Sequence, residues 1–567
     1  MKYNFVGLLV FSGSFFFAQK ETQNWYFPSF QGAILCPVGL NFGSNPPVLS
    51  TVSYTGVMNN SLSGTSISDS MGNLLFYTDG YRVATSSHTL MVNGFALSPA
   101  KFYNGNYYEN EQYNLIVKKP GAATGYYIFS VDEGQLVGTN WPPPQWHDLK
   151  FSEIDMGLAA GQGSVVSKNN YLAFNTGERI AAVNHCNGTD VWVVTHELNS
   201  NNFKVYLVTA SGVNPNPVIS SPPLGPYTGT INSPGCLKIS PNGRKIGMEN
   251  VVLDFDDATG AVSNPINLSI SSGFISSPRA CEFSRDSKKY YVLEGPSGWQ
   301  KEIYQWDLCP KSTPPGSLVG VSSGIVTGLQ LAPNNKIYTV KLSNGYLGAI
   351  QNPDSLVPSC NYLDSAFSIA PRTGFFSLPT FVSSYFHTPE SPIQSLSYSV
   401  ANCNEISFDA SEVLGCSASE RYTENFLWCF GDPGSGVSNT STLTNALHIY
   451  SNPGVYQAYL VLNYNCHSDT VYQTINVPGC NAIEKINIDN EAFAIYPNPC
   501  EKNTVIEVFK VINIVLYDAG GKTIFEEELL TGKHSVDWTQ FQTGIYQVIA
   551  IAAHDKKVYA KRIIKLE

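Results

Sequence analysis

The sequence predicts an all-β protein, and three observations support this fold class. Its 567 residues include 32 Tyr, 30 Phe and 8 Trp, and aromatic side chains are favoured in strands. The 47 Gly and 34 Pro supply the conformations that tight turns between short strands require. Charged residues make up only 14% of the chain, and a mainly helical protein would carry more Lys and Glu. The length corresponds to about three or four domains.

The charge balance disfavours nucleic acid as a partner. The chain has 33 Lys and Arg against 44 Asp and Glu, which gives a net charge of −11. Lys and Arg contacts with phosphates supply most of the affinity for DNA or RNA. An acidic chain without a basic stripe therefore predicts no nucleic-acid ligand.

Residues 1–18 have the pattern of a secretory signal peptide. Lys2 gives a charged start, an apolar run extends from Phe5 to Phe17, and Ala18 is a small residue before a polar one. The alternative is an N-terminal membrane anchor, but a spanning helix needs about 20 apolar residues and this run is shorter. The pattern predicts cleavage and export.

The cysteine content agrees with export. There are 12 cysteines, and none forms a CxxC pair of the kind that binds zinc or exchanges thiols. Because cysteines pair in oxidising compartments, the sequence predicts disulfides, although the pairing cannot be read from it.

Residues 24–388 contain a recurring phrase in which a small or polar turn leads into a β-rich run. The phrase begins at Ser70, Ser240, Ser284 and Ala332, and a related hairpin begins at Cys186. Ser240 and Ser284 are 44 residues apart, and Ser284 and Ala332 are 48 apart, close to the repeat of about 40–50 residues in β-propeller blades. The sequence therefore predicts a β-propeller of seven blades, with a β-helix or two sandwiches as alternatives.

Several segments of this region also resemble a known group of proteins. They are residues 25–27, 72–80, 91–94 and 126–129, together with His88. They look like the propeller-like ectodomains of surface proteins in Bacteroidota. The resemblance implies a secreted or surface role and no particular catalysis.

Residues 393–479 resemble a PKD domain. The residues that carry the resemblance are Trp428, Phe430, Gly431, Asp432, His448, Tyr450, Gly454 and Tyr456. The family implies an immunoglobulin-like sandwich that serves as a spacer or an interaction module. The sequence departs from the family pattern at Pro433, where many members have Gly, so the turn there is expected to differ. Asp432 is expected to cap that turn rather than to act in catalysis.

Residues 491–567 resemble the type A C-terminal sorting domain of type IX secretion cargo. The residues that carry the resemblance are Tyr496, Pro497, Asn498, Pro499, Tyr517, Asp518, Gly521, Lys522, Gly544, Ile545, Tyr546 and Lys565. The family implies a C-terminal β-sandwich, passage across the outer membrane by the type IX machinery, and attachment of the mature protein to surface lipopolysaccharide. The alternative is one more β-sandwich with its basic residues on a solvated edge strand.

Motifs for enzyme chemistry fail at specific positions. His196-Glu197 has Ser200 where the zinc motif HExxH needs its second His, and no G-x-S-x-G nucleophile elbow is present. Residues 254–260 are acidic enough for a calcium loop but better suit a hairpin turn. His185 and His196 are expected to be satisfied or surface residues rather than acid–base groups. We therefore assign no catalytic, cofactor-binding or metal-binding residue.

The sequence as a whole predicts a non-enzymatic binding or adhesion protein, secreted or held at the outer-membrane surface. Its ligand would be an extracellular protein or glycan bound by loops at one propeller face. The alternative is a secreted propeller-type lyase or glycosidase, which would need two convergent carboxylates or a His/Tyr/Arg cluster in the central funnel. Residues such as Trp192 and Trp306 would stack on sugars in one case, or pack between blades in the other.

Overall fold

The computed structural model describes most of the chain after the first 19 residues. The described residues are 20–31, 34–50, 63–97, 114–131, 148–198, 200–224, 236–270, 273–274, 280–295, 301–309, 315–375, 377–387, 396–410, 425–463, 466, 468–478, 492–554 and 557–567. The predicted signal peptide, residues 1–18, lies outside them.

The chain divides into two compact units. The first comprises residues 1–399, 407–448 and 457–475, and the second comprises 400–406, 449–456 and 476–567. No helix among the described residues combines the length and the apolar character that crossing a membrane would take.

Nearly all regular structure in the first unit is β-strand, as the composition predicts. The strands up to residue 220 are β1 (Asn24–Gln31), β2 (Ile34–Asn41), β3 (Val48–Ser50), β4 (Thr65–Ser68), β5 (Leu74–Thr78), β6 (Arg82–Thr85), β7 (Leu90–Phe95), β8 (Asn114–Lys118), β9 (Gly125–Val131), β10 (Leu149–Asp155), β11 (Ser164–Ala173), β12 (Thr176–Asn184), β13 (Val191–Glu197), β14 (Phe203–Thr209), β15 (Gly212–Val213) and β16 (Val218–Ser220). A 3₁₀ turn at Ala159–Gly161 separates β10 from β11.

The strands of the following stretch, up to residue 374, continue the pattern. They are β17 (Leu237–Ile239), β18 (Lys245–Met248), β19 (Val251–Phe255), β20 (Val262–Asn267), β21 (Ser269–Ile270), β22 (Gly273–Phe274), β23 (Cys281–Phe283), β24 (Lys289–Glu294), β25 (Glu302–Asp307), β26 (Ser317–Val321), β27 (Val326–Leu331), β28 (Ile337–Lys341), β29 (Tyr346–Ile350), β30 (Tyr362–Ser368) and β31 (Thr373–Gly374). A 3₁₀ turn at Ser383–Phe386 follows.

These strands form a propeller-like series of sheets. Sheet 1 has the order β3-β2-β1-β31. An eight-stranded sheet of order β4-β5-β6-β7-β11-β10-β9-β8 follows, and we call its two halves sheet 2 (β4–β7) and sheet 3 (β8–β11). Sheet 4 is β12–β16, sheet 5 is β17–β20, sheet 6 is β23–β26 and sheet 7 is β27–β30. One parallel residue pair, Val92 with Ser164, joins the outer strands of sheets 2 and 3, and β21 pairs with β22 separately. The first strands of sheets 2 to 7 neighbour one another in chain order, and β1 neighbours β4.

Sheet 1 is closed by a strand from far along the chain. Gly374 of β31 pairs with Ser29 of β1, and Thr373 pairs with Phe30. A Cβ on Gly374 would lie 2.5 Å from the Lys341 carbonyl oxygen, so glycine permits this close approach. The two ends of the sheet series are thereby joined by backbone hydrogen bonds.

The recurring phrase has a common structural role. In sheets 2, 4, 5, 6 and 7 it forms the turn between the first and second strands. The Ser240 hydroxyl accepts a hydrogen bond from the Lys245 amide (2.9 Å), and the Ser284 hydroxyl accepts the equivalent bond from Lys289 (2.8 Å). A serine at the start of the phrase therefore stabilises each of these two turns by the same contact.

A second β region follows within residues 396–478. Its strands are β32 (Ser397–Asn402), β33 (Glu405–Asp409), β34 (Asn425–Cys429), β35 (Thr440–Ser441), β36 (Asn445–Ile449), β37 (Gly454–Asn463) and β38 (Ser468–Val477). They form two sheets, with the orders β32-β33-β36 and β35-β34-β37-β38. Phe408 packs on Trp428 and Phe430 at ring distances of 5.2 and 4.9 Å, which places the core between the sheets.

The C-terminal region also consists of two sheets around one core. Its strands are β39 (Phe493–Tyr496), β40 (Asn503–Val508), β41 (Ile512–Tyr517), β42 (Thr523–Leu529), β43 (Gly532–Asp537), β44 (Gly544–Ala552) and β45 (Val558–Lys565). The sheet orders are β39-β40-β43 and β42-β41-β44-β45, and their inward side chains share a single core. Buried and exposed residues alternate along β44, so one face of its sheet is solvent-facing.

Disulfides are present, as the cysteine content predicts. Cys186, in the turn between β12 and β13, is bonded to Cys466, in the turn between β37 and β38. Cys309 and Cys403 each take part in a disulfide as well. The separation of 280 residues between Cys186 and Cys466 shows why their pairing could not be read from the sequence.

Candidate functional site

The YPNP segment of the C-terminal region lies along the edge of the last strand. The Asn498 side chain accepts a hydrogen bond from the Ile564 amide (2.9 Å) and donates one to the Arg562 carbonyl oxygen (2.5 Å). The Cys500 amide then donates to the Ile564 carbonyl oxygen (2.8 Å). Asn498 thus takes the place of a neighbouring backbone and covers an edge that would otherwise be open to pairing.

The residues around Asn498 set the course of this segment. The peptide bonds that precede Pro497 and Pro499 are both cis. The Tyr496 hydroxyl donates to a carboxylate oxygen of Glu507 at 2.8 Å, and the Lys533 amine lies 5.9 Å from the centre of the Tyr496 ring.

The YDxxGK segment is a hairpin turn between β41 and β42. The Asp518 carboxylate accepts hydrogen bonds from the Gly520 and Lys522 amides, both at 2.9 Å. Gly521 has a φ of 81°, a left-handed conformation that favours glycine. Tyr517 ends β41 just before this turn. These residues are therefore explained by the turn they build.

The GIY segment begins β44, and the chain ends on its partner β45. Tyr546 is buried against Trp538 at a ring distance of 5.1 Å, while Gly544 is opposite Lys565. Ile545 is directly opposite Ile564, and both side chains are exposed. Neither isoleucine side chain is part of the core of this region.

The predicted PKD residues of the first unit form a buried aromatic stack around a histidine. Phe430 lies parallel to His448 at 4.3 Å, and the His448 Nε2 is 3.3 Å from an Asp432 carboxylate oxygen. Burial lowers the pKa of His448, although the Asp432 carboxylate acts in the opposite direction. The Trp428 indole donates to the Leu443 carbonyl oxygen at 3.0 Å.

Gly431 lies against the backbone of Gln457. It has a φ of 72°, and a Cβ would lie 2.3 Å from the Gln457 carbonyl oxygen. Pro433, where the sequence departs from the family pattern, begins a short 3₁₀ segment at Pro433–Asn439. The turn therefore has room for glycine alone at residue 431.

The remaining predicted PKD residues lie in the second unit. The rings of Tyr450 and Tyr456 are 4.3 Å apart, and the Tyr456 hydroxyl donates to the Asn452 carbonyl oxygen at 2.7 Å. Gly454 begins β37. These contacts are those of a structural hairpin.

The centre of the propeller-like series contains the chain's own backbone. Residues 377–387, which we call the axis segment, follow directly on β31. The Thr65 hydroxyl of sheet 2 donates to the Thr380 carbonyl oxygen (2.5 Å), and Val382 forms a parallel bridge with Ala182 of sheet 4. Because these partners lie on the first strands of separate sheets, the axis segment runs where those strands converge.

Further contacts hold the axis segment on its other sides. The Asn184 amide of sheet 4 donates to the Ser384 hydroxyl (2.9 Å), and Arg285, in the turn after β23, donates to the Phe386 carbonyl oxygen (2.9 Å). Phe381 packs on Trp25 of sheet 1 at a ring distance of 6.1 Å. These contacts join the segment to sheets 1, 2, 4 and 6.

One pair of charged groups lies beside the axis. The Lys238 amine lies 3.0 Å from a Glu282 carboxylate oxygen and donates to the Gln330 side-chain oxygen at 2.6 Å. A cavity of about 20 Å³ adjoins this pair and is lined partly by Thr327 and Thr380. That volume holds about one water molecule, which is too small for a sugar ring.

A buried polar cluster lies between sheets 4 and 5. The Arg179 guanidinium is 2.5 Å from a Glu249 carboxylate oxygen, and both side chains are almost fully buried. The nearby His196 is fully buried, and within the described structure neither ring nitrogen has a hydrogen-bond partner. Burial, with Arg179 contributing, lowers the pKa of His196 to about 3.

The position of His196 corrects the expectation that it is satisfied or at the surface. The Arg179–Glu249 pair could not be predicted from the sequence, because its members are 70 residues apart and no local pattern links them. His185, by contrast, stacks on Trp192 at 5.4 Å, as a packing residue.

The other candidates have structural roles. The Asp256 carboxylate accepts hydrogen bonds from the Ala258 amide and the Thr259 hydroxyl, so residues 254–260 form a hairpin turn. The indoles of Trp192 and Trp306 are buried and donate to backbone carbonyl oxygens at 2.8 and 3.1 Å. Both tryptophans pack between sheets instead of offering a sugar platform.

Similar solved structures are distant. PorZ, described as an essential bacterial surface component of the type-IX secretion system of Porphyromonas gingivalis, is 11% identical, with 95% of this chain and 75% of that one covered at a TM-score of 0.25. A gluconolactonase from Xanthomonas campestris is 12% identical, with 52% and 91% covered and a TM-score of 0.26. The WD40 repeats of RRP9 are 10% identical, with 58% and 87% covered and a TM-score of 0.23. Structural similarity at these TM-scores does not indicate a function.

The C-terminal region gives the informative comparison. No curated protein matches the chain. Residues 494–565 match the family described as the secretion system C-terminal sorting domain. The match indicates that the chain interacts with the type IX secretion machinery, is exported from the cell, and is located at the cell surface or secreted.

Proposed function

We propose that this protein is a non-enzymatic binding or adhesion protein that acts outside the cell. In this proposal residues 24–388 are a seven-bladed β-propeller, residues 393–479 are a PKD domain that serves as a spacer, and residues 491–567 are both the secretion and the anchoring signal. Residues 1–18 are a cleaved signal peptide. The ligand is an extracellular protein or glycan.

The occupied axis is the observation that supports binding over catalysis. A propeller has a central channel that can admit a ligand, but here Thr380, Val382 and Phe386 are held there by contacts with separate sheets. One carboxylate beside the axis, that of Glu282, is paired with the Lys238 amine at 3.0 Å. A ligand must therefore bind at the loops or outer strands, where affinity comes from surface contacts.

The test is binding of the full-length exported chain to glycan and protein arrays. We expect saturable binding to at least one ligand class with no chemical change in the ligand. Release of a shortened glycan or an unsaturated sugar product would instead establish the lyase or glycosidase alternative and overturn the proposal.

Surface attachment needs a separate measurement. We expect part of the mature protein to sediment with the outer membrane and to migrate at a higher, heterogeneous mass because of bound lipopolysaccharide. A single sharp species found only in the medium would show that the sorting domain exports the protein without anchoring it.

A further inference from the structure

The exposed face of the four-stranded sheet in the sorting domain is unusually apolar. The exposed fractions are 55% for Ile545 and 41% for Ile564, which are opposite each other on β44 and β45. They are 38% for Ile551 and 42% for Val558, which form a second opposite pair. Side chains of directly paired residues project from the same face of a sheet, so these four form one surface.

The same surface extends across the sheet and towards the end of the chain. Val515 of β41 is opposite Ile549 of β44, and Ile549 is opposite Ala560 of β45. Leu566, directly after β45, has an exposed fraction of 44%. We call this surface, composed of Val515, Ile545, Ile549, Ile551, Val558, Ala560, Ile564 and Leu566, the aliphatic face. Several exposed apolar side chains grouped on one sheet face are typical of an interaction site in proteins.

Charged residues lie both at the edge of the aliphatic face and within it. On the β42 side, Glu526 is opposite Val515 and Glu528 is opposite Asn513. Gln547 and Arg562 are opposite each other and exposed, and they lie between the Ile545–Ile564 pair and the Ile549–Ala560 pair. A docking partner must therefore be apolar on both sides of an acidic group that meets Arg562, and basic where it meets the two glutamates.

The rest of the C-terminal pattern is explained by folding. Asn498 covers the β45 edge, Asp518 and Gly521 build a turn, and Tyr546 fills the core. Ile545 and Ile564 do none of these, and exposed isoleucine gains nothing from burial in the isolated domain. This leaves recognition as their role.

We infer that the aliphatic face is the surface by which the type IX secretion machinery binds this chain, through an apolar patch with an acidic group opposite Arg562. The inference rests on the export function of the sorting domain, whose partner is that machinery. It goes further by naming the face that the machinery reads and the chemistry of the partner.

The test is export of the full chain from a bacterium with an active type IX system. The variant Ile545→Thr/Ile564→Thr keeps β-branched residues that suit a strand but removes apolar surface. We expect the fraction outside the outer membrane to fall at least tenfold, with periplasmic accumulation. Arg562→Glu should lower that fraction as well, whereas Arg562→Lys should restore most of it.

A matched control removes apolar surface elsewhere in the same domain. Phe509 and Leu530 have exposed fractions of 51% and 63% and lie in the turns after β40 and β42. Phe509→Thr/Leu530→Thr should be exported normally. Thermal melting of the purified full-length variants checks that neither double variant unfolds the domain.

Three results would overturn the inference. The first is normal export of a folded Ile545→Thr/Ile564→Thr chain, and the second is equal loss of export in the Phe509→Thr/Leu530→Thr control. The third is a change in molecular mass by light scattering without a change in export, which would assign the face to a second copy of the chain. Deletion of residues 494–567 tests whether the sorting domain is needed for export at all. If this deletion blocks export but the isoleucine variant is exported normally, the export function stands and only the docking face is refuted.

Discussion

The pKa of His196 is set mainly by burial of its ring, with a smaller contribution from the Arg179 charge. Its ring is fully buried, contacts Phe203 at 5.0 Å and has no hydrogen-bond partner among the described residues. The neutral form is therefore strongly favoured in the folded chain, with a pKa of about 3.

This pKa predicts an acid-dependent loss of stability. The unfolded chain takes up a proton at His196 below about pH 6.5, whereas the folded chain does so only near pH 3, so stability is complete above pH 6.5 and falls between these values. The slope is at most about 1.4 kcal/mol per pH unit. We expect His196→Leu to flatten this decline in urea unfolding curves between pH 7 and 4.5. Phe203→Leu, the control, should lower stability equally at both pH values; an unchanged slope in His196→Leu contradicts the assignment.

The buried ion pair predicts a large effect for a small substitution. Glu249→Gln leaves the Arg179 charge buried without its counter-charge, which costs about 3–5 kcal/mol. Denaturant unfolding should show this loss, whereas Glu507→Gln, at the exposed pair with Lys533, should change stability by less than about 1 kcal/mol. A double replacement of Arg179 and Glu249 by Met should cost less than Glu249→Gln; a greater cost would count against the pair.

Elements in this chain depend on a few residues at turns and edges. The sequence located several of them, because Gly431, Asp518 and Gly521 act through local backbone geometry that a short pattern can reveal. It could not show that Asn498 bonds to β45, because the partner strand lies more than 60 residues away.

Gly431 and Gly436 offer a paired test of backbone geometry. Both have positive φ values, 72° and 60°, but only at residue 431 would a Cβ meet another atom within 4 Å. We expect Gly436→Ala to cost about 1 kcal/mol for the left-handed backbone, and Gly431→Ala to cost about 2–4 kcal/mol because a clash is added. Equal melting temperatures for the two variants would show that the close approach to Gln457 is absent.

Asn498→Ala tests the cover on the last strand. Loss of two hydrogen bonds to Ile564 and Arg562 should lower the stability of the C-terminal region by about 1–3 kcal/mol. Asn513→Ala, on an exposed position of β41, should stay within about 0.5 kcal/mol. Hydrogen exchange of the Ile564 amide should rise in the first variant, and protection equal to wild type would refute this role of Asn498.

In the whole molecule, β31 and the axis segment connect the end of the propeller-like series with its first strand, β1. Phe381 packs on Trp25, and Gly374 pairs with Ser29, across more than 340 residues of sequence. Closure by such distant contacts makes the series of sheets dependent on residues 373–387.

Phe381→Ala measures this dependence. Removing a buried aromatic side chain that contacts both Trp25 and Phe386 should cost about 3–5 kcal/mol. It should also open sites across the first unit to limited proteolysis. Phe174→Ala, at an exposed fraction of 61% beside Lys204, should cost less than about 1 kcal/mol. Digestion confined to the neighbourhood of residue 381 would show that the axis segment does not support the whole series.

Local features of this chain could be predicted from its sequence. Alternating residues specify strands, and the phrases at Ser240 and Ser284 specify their turns. The pattern from Tyr496 to Lys565 identifies the sorting domain. The strands, the turns and this pattern can all be predicted because each depends on residues within one or two neighbouring elements. Four features followed only from the three-dimensional structure: the strand that closes sheet 1, the segment that fills the axis, the pairing of Cys186 with Cys466, and the burial of His196 with no hydrogen-bond partner among the described residues. These features depend on contacts between residues far apart in sequence. An alternating pattern predicts which face of a strand is buried, but it does not predict which other strand packs against that face.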